Sequence, residues 1–155
     1  MCIRDSYHAK AAGKFRYAVY SDHMKEAIDD KHRLDLELHV ALTSRQFFLQ
    51  YQPTISLATG EITGVEALIR WSHPTRGTIA PNDFIPIAER SGLIIPIGRW
   101  VLGEACRQAA HWHRTGHDLG IAINVSARQL DSDELIDDVG DALRESCLLY
   151  TSRCV

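Results

Sequence analysis

Three features are scarce in this chain, and each scarcity excludes something. Cysteines number only four, Cys2, Cys106, Cys147 and Cys154, and none is paired at C-x-x-C spacing, so neither a zinc-binding knuckle nor a disulfide framework is implied. Reduced thiols are the expectation. Long apolar runs are missing: stretches such as Leu93 to Ile97 fall far short of the roughly 20 residues that a membrane-spanning helix needs. Met1 to Ser6 carries Arg4 and Asp5 where a secretory signal needs its apolar core. A cytoplasmic setting without membrane contact is expected for this segment, and an anchor upstream in a longer parent protein stays open. Positive charge is not in excess: Lys and Arg total 17 against 20 Asp and Glu, a net charge of -3. That balance excludes the clustered cations that a polymeric nucleic acid requires.

What remains is globular in composition, 45% hydrophobic and 24% charged over 155 residues, enough for one modest core. The texture changes along the chain. A polar N-terminal piece runs to about Asp30, a patterned body extends from about Leu34 to Ser146, and a short tail starts at Cys147. No internal repeat or low-complexity run is present.

In the body, Leu34, Leu38 and Leu42 recur every fourth residue among charges and predict an amphipathic helix. Phe47, Leu49 and Tyr51 then alternate with more polar positions up to Pro53, as in a strand. Ala58-Thr59-Gly60-Glu61 is a turn candidate, and Ile62 to Trp71 is a second strand, so a hairpin is expected. The period of two puts Val65, Ala67, Ile69 and Trp71 on one face and Glu66, Leu68 and Arg70 on the other. After a loop with His73-Pro74 and Arg76-Gly77, the Pro81-Asn82-Asp83 segment offers helix-start chemistry ahead of Phe84, Ile87 and Ala88. Gly92 breaks that helix. Ile97, Val101, Ala105, Ala109 and Trp112 mark a longer one, closed near Gly116. Ile121 to Ser126 reads as a third strand, with Ala122, Asn124 and Ser126 on one side, and a last helix covers about Asp133 to Glu145. Strand, strand, helix, strand, helix is the pattern of an α/β protein whose crossover helices cover a sheet.

Few side chains in this pattern invite chemistry. Glu66 sits in an otherwise apolar strand, where a carboxylate needs a cation, a metal or a donor. Arg70 shares its face but lies roughly 13 Å along a regular strand, too far to pair with it. Either a salt bridge to a neighbouring strand or a functional site accounts for Glu66. Asn124 offers a hard amide oxygen to Mg²⁺ or Mn²⁺, or else satisfies backbone groups at a strand end. His111, His113 and His117, with His73 in its loop, look like a metal cluster, but His111 and His113 do not share a helical face. They are read as solvated or second-layer histidines. Cys106, one residue past the apolar stripe, is read as an inert thiol.

Four ordered blocks carry a resemblance: Phe48-Leu49-Gln50-Tyr51-Gln52-Pro53, Gly64-Val65-Glu66-Ala67-Leu68-Ile69-Arg70-Trp71, Phe84-Ile85-Pro86-Ile87-Ala88-Glu89 and Asn124-Val125-Ser126-Ala127-Arg128-Gln129. Together with Ile97 to Leu102 they resemble the EAL domain family over about residues 34–146. The resemblance implies an α/β fold that is part of a TIM-like (β/α)₈ barrel, roughly its first three strands and their helices, with the first strand antiparallel and the site at the C-terminal strand ends. It implies bacterial second-messenger signalling: hydrolysis of cyclic di-GMP to linear pGpG with two divalent cations, Mg²⁺ or Mn²⁺. By the same resemblance Glu66 and Asn124 match metal ligands, Arg70 a phosphate-contacting arginine, and Gln52 and Leu68 positions lining the dinucleotide pocket. A homodimer of the longer parent is left open.

Tyr7 to Tyr17 resembles the end of a GGDEF diguanylate cyclase domain. The implied order is a GGDEF tail over 7–21, a linker over 22–33 and the EAL segment over 34–146. Residues 1–6 and 147–155 depart from both patterns and resemble translated sequencing-adapter sequence. A (β/α)₈ barrel takes about 250 residues, so the family's remaining metal-binding Glu, its Asp-Asp pair and its Lys fall beyond Ser146. The isolated chain is expected to be inactive. Two other functions compete: a cyclic di-GMP receptor that binds without hydrolysis, and an unrelated α/β metabolic barrel.

Overall fold

This computed structural model describes residues 22–148, with side chains from Asp30 onward. The expected GGDEF tail over 7–21 and the segments 1–6 and 149–155 lie outside the described residues.

The leucines spaced by four become helix α1, Asp22–Thr43, whose Leu34, Leu38 and Ala41 are buried. Strand β1, Phe47–Ile55, follows and turns back into β2, Ile62–His73. The pair is antiparallel, with Phe47 opposite Trp71 and Gln52 opposite Glu66. Gly60, at φ +72, supplies the left-handed conformation of the turn. Ser56 and Glu61 close it, the Ser56 N–H donating to the Glu61 carbonyl at 2.9 Å.

A short β3, Gly77–Ile79, falls in the stretch expected to be loop. It pairs antiparallel with the end of β2, Trp71 opposite Ile79. Three residues carry too little alternation to be read as a strand in advance. Helix α2, Pro81–Ser91, is capped by Ala80 without a side-chain hydrogen bond, so Pro81 at the first turn, not Asn82 or Asp83 as a cap, starts it. Gly92, at φ 84, closes it. Helix α3, Ile94–Arg114, leads to β4, Gly120–Ile123. A one-turn helix α4, Ala127–Leu130, and helix α5, Leu135–Ser146, follow.

Strand β4 pairs parallel with β2, Glu66 opposite Ala122 and Ala67 opposite Ile123. Because β1 takes one edge of β2, the strands β3 and β4 share the other at its two ends. The three residues between them, Leu68, Ile69 and Arg70, have no strand partner on that edge.

The helices gather on one face. Phe47, Trp71, Phe84, Ile97 and Val101 form one cluster with Leu34 and Leu38 of α1, and Val65, Ala67, Ala105, Ala109 and Ile121 form a second with Leu148. Trp71 is fully buried and donates its indole N–H to Gln46 Oε1 at 3.0 Å, so the largest core residue leaves no polar atom unpaired. The other face, with Gln50, Gln52, Glu66, Leu68, Arg70 and Ala122, is partly or fully exposed.

Candidate functional site

Sheet geometry decides which of the singled-out side chains meet. Side chains opposite one another in a ladder share a face, so Gln52, Glu66 and Ala122 form a row across β1, β2 and β4. Asn124 lies two residues past Ala122 and therefore projects to the same side. It is not within the strand, as the sequence pattern implies, but just beyond it: the ladder ends at Ile123, and Ser126 is already the N-cap of α4. The Ser126-x-x-Gln129 capping box turns the chain into a helix before a longer strand can pair.

From this position Asn124 reaches sideways. Its Nδ2 donates to Glu66 Oε1 at 2.6 Å. The carboxylate thus finds its donor across the parallel strands, which answers the cost of placing it in an apolar strand. The bond fixes the amide: with nitrogen toward Glu66, its oxygen is directed away. The other carboxylate oxygen of Glu66 and the amide oxygen of Asn124 are not used in this bond and are hard donors.

Arg70 is not drawn into this pair. Its Nη1 donates to the Ile69 carbonyl at 2.8 Å, in the unpaired stretch of β2. Leu68 and Asn124 both line a cavity of about 280 Å³, walled on its apolar side by Ile85, Ile97 and Val101. Glu66, Gln52 and Arg70 lie outside its lining and on the open face. The volume lies just below the about 300 Å³ at which small-molecule pockets begin.

The histidines stay apart from this site. Among the described residues no group of three His, Cys, Asp or Glu is placed to hold a metal ion. His113 Nε2 faces Asp118 at 3.4 Å. His73, expected in a loop, instead ends β2 and is buried. The backbone N–H groups of Thr75 and Arg76 donate to its Nδ1, each at 3.2 Å. Cys106 is buried. Sequence reasoning passed over Gln129, which is also buried; the signal available was Ser126 three residues ahead of it, a capping-box spacing.

Among the described residues no helix is long and apolar enough to cross a membrane. Comparison with known proteins gives a consistent family. The EAL domain model matches residues 35–153. The bifunctional diguanylate cyclase/cyclic di-GMP phosphodiesterase MucR of Pseudomonas aeruginosa is 45% identical over 138 residues, covering 88% of this chain and 20% of that protein. The cyclic di-GMP phosphodiesterase PdeR of Escherichia coli is 41% identical over 139 residues, covering 90% of this chain and 21% of the relative. The chain therefore spans about a fifth of the length of these relatives. Among solved structures, the PaMucR phosphodiesterase in its c-di-GMP complex superposes with a TM-score of 0.75 at 46% identity, over 77% of this chain and 49% of that one. The FimX EAL domain of Xanthomonas citri in complex with c-diGMP gives 0.68 at 26% identity, over 80% and 48%. EAL domains are TIM-barrel-like, and the sheet with its helices on one face is part of such a barrel. With four ordered motifs, the family match and the shared fold in agreement, this chain belongs to the EAL domain family.

Proposed function

We propose that this chain forms the first part of the active site of a phosphodiesterase that hydrolyses one phosphodiester bond of cyclic di-GMP to give linear pGpG. The observation that carries the reading is the 2.6 Å approach of Asn124 Nδ2 to Glu66 Oε1, which brings a carboxylate and an amide together at the end of a parallel strand pair. Carboxylate and amide oxygens suit Mg²⁺ or Mn²⁺. The donor set fits such an ion in part, Glu66 and Asn124 holding one side of it. A divalent cation bound there supplies Lewis acidity and a water of lowered pKa.

The chain's own residues have separate tasks in this reading. Glu66 supplies negative charge and, through its bond to Asn124, sets the direction of the amide oxygen. Arg70, farther along the same face, keeps guanidinium N–H groups beyond the one given to Ile69 for a phosphate oxygen. Leu68, in the lining of the apolar cavity, and Gln52, exposed opposite Glu66, line the path of the dinucleotide. The relatives named for this activity and the neighbours solved with c-di-GMP support the choice of substrate. The setting follows from it: second-messenger signalling in the cytoplasm.

The test is release of pGpG from cyclic di-GMP by the longer protein that carries this chain, with Mn²⁺ and with EDTA. Metal-dependent product that disappears in Glu66→Ala supports the enzyme. Tight binding of cyclic di-GMP without product identifies a receptor instead.

A further inference from the structure

The active-site reading leaves a mechanical question: what fixes Asn124, given that the β4 ladder stops one residue before it? Ile123 is held by its pairing opposite Ala67. Asn124 and Val125 are exposed and have no sheet partner. The next fixed point is Ser126, held by reciprocal bonds with Gln129. The Ser126 N–H donates to Gln129 Oε1 at 3.2 Å, and the Gln129 N–H donates to Ser126 Oγ at 3.4 Å.

A one-turn helix has almost no stability of its own, so α4 takes its position from what it packs against. Two contacts supply that. Arg128 Nη1 donates to the Glu89 carbonyl in α2. Gln129, 6% exposed, is one of three buried polar residues among those described. Its side chain lies over Gly98 of α3, where a Cβ would overlap the Gln129 amide. Helix α3 packs on the same sheet that carries Glu66. A rigid route thus runs from the sheet through α3, Gly98, Gln129 and Ser126 back to Asn124.

We propose that Gln129, seated on Gly98, is a positioning residue that sets the Asn124 amide against Glu66 and thereby the affinity of that pair for a divalent cation. This rests on the reading of Glu66 and Asn124 as metal ligands. Only one residue, Val125, separates Asn124 from the anchor at Ser126, so a tilt of α4 moves the amide directly. Gln129 contacts neither ion nor substrate and acts through the chain between.

The experiment uses the longer protein and reads Mn²⁺ affinity by electron paramagnetic resonance of the free ion, alongside kcat, KM and the unfolding midpoint. Gln129→Leu keeps the volume and removes the acceptor for Ser126. It is expected to weaken Mn²⁺ binding about tenfold or more, the usual effect of losing a group that orients a ligand, and to lower kcat more than it raises KM for cyclic di-GMP. Gln129→Glu keeps the acceptor and is expected to restore most of the affinity. Gly98→Ala, which keeps the Gln129 side chain but pushes it off its seat, is expected to behave like Gln129→Leu. Ile87→Ala, in the core between α1 and α2, is the stability control, expected to lower the midpoint without changing Mn²⁺ affinity. Unchanged Mn²⁺ binding in both Gln129→Leu and Gly98→Ala overturns the inference while Glu66→Ala still abolishes binding. Equal weakening in Ile87→Ala also overturns it. Unchanged binding in Glu66→Ala overturns the reading on which it stands.

Discussion

Glu66 and Asn124, 58 positions apart in the chain, meet through a single hydrogen bond of 2.6 Å between Oε1 and Nδ2. Among the described residues neither side chain has a second hydrogen-bonded side-chain partner, so the bond makes them one unit. If they act as a unit, single losses do not add. Glu66→Ala and Asn124→Ala are each expected to lower the rate of pGpG release by about 100-fold or more, and the double variant to be little worse than either. Product release by the four proteins, at several Mn²⁺ concentrations, checks this. Fully additive losses would mean two independent roles.

The same contact predicts the behaviour of Asn124→Asp. A second carboxylate at hydrogen-bond distance from Glu66 places two like charges side by side, and one of them must hold a proton or bind a cation. The variant is expected to unfold at lower temperature than the parent at neutral pH without metal, and to recover on addition of Mn²⁺. Thermal unfolding with and without Mn²⁺ measures it. A variant indifferent to the ion counts against metal binding at this pair.

Gly64 controls how closely β2 approaches β4. It pairs with Gly120, and a Cβ there would stand 2.9 Å from the Gly120 carbonyl oxygen. The neighbour is backbone and cannot rotate away. Gly64→Ala is expected to cost about 1–3 kcal/mol, as over-packing does, and to weaken the contact two residues on at Glu66. Urea denaturation gives the first quantity and Mn²⁺ affinity the second.

The main elements and the shared face of Glu66, Leu68 and Arg70 were legible in the sequence for different reasons. Leu34, Leu38 and Leu42 on α1, and Ile97 to Trp112 on α3, carry the helical period strongly because each buries one face only. The β1–β2 hairpin shows in its alternation and in Gly60. The row of Glu66, Leu68 and Arg70 follows from the period of two. Three things were not legible. Strand β3 has three residues, and its pairing depends on where β2 ends. The end of β4 at Ile123 is set by a capping box that competes with the strand. His73 looks like a loop residue beside Pro74, but its burial depends on α1, far away in sequence, folding over it.

That burial sets up a test of its own. His73 Nδ1 accepts two backbone N–H groups, so its proton sits on Nε2, which faces Glu37 Oε2 at 3.2 Å. The approach is close but not aligned as a hydrogen bond, since Glu37 Oε2 is buried without one. Glu37→Ala takes the acidic neighbour away from the buried Nε2–H and is expected to cost at most about 1 kcal/mol, the scale of a partly exposed charge contact. Urea denaturation reads the loss, and hydrogen exchange should place it at the β2–β3 turn. Loss confined to α1 would show that the imidazole is satisfied without Glu37.

Arg76 ties the same turn to α1 by a different bond. Its Nη1 and Nη2 donate to the two oxygens of Asp30 at 3.0 and 2.7 Å. The hydrogen bond from Arg76, reinforced by its charge, holds the Asp30 carboxyl below its ordinary value of 3.8. A carboxyl depressed in the folded state contributes stability that is present above its unfolded pKa and is lost as the pH falls through the folded one. Asp30→Asn is therefore expected to be slightly less stable than the parent at neutral pH and to converge with it as the pH falls below about 4. Because the pair lies at the surface, added salt should shrink the neutral-pH difference. Unfolding midpoints of the two proteins across that range decide it: a gap that stays constant down to low pH would assign the loss to packing, not to the ion pair.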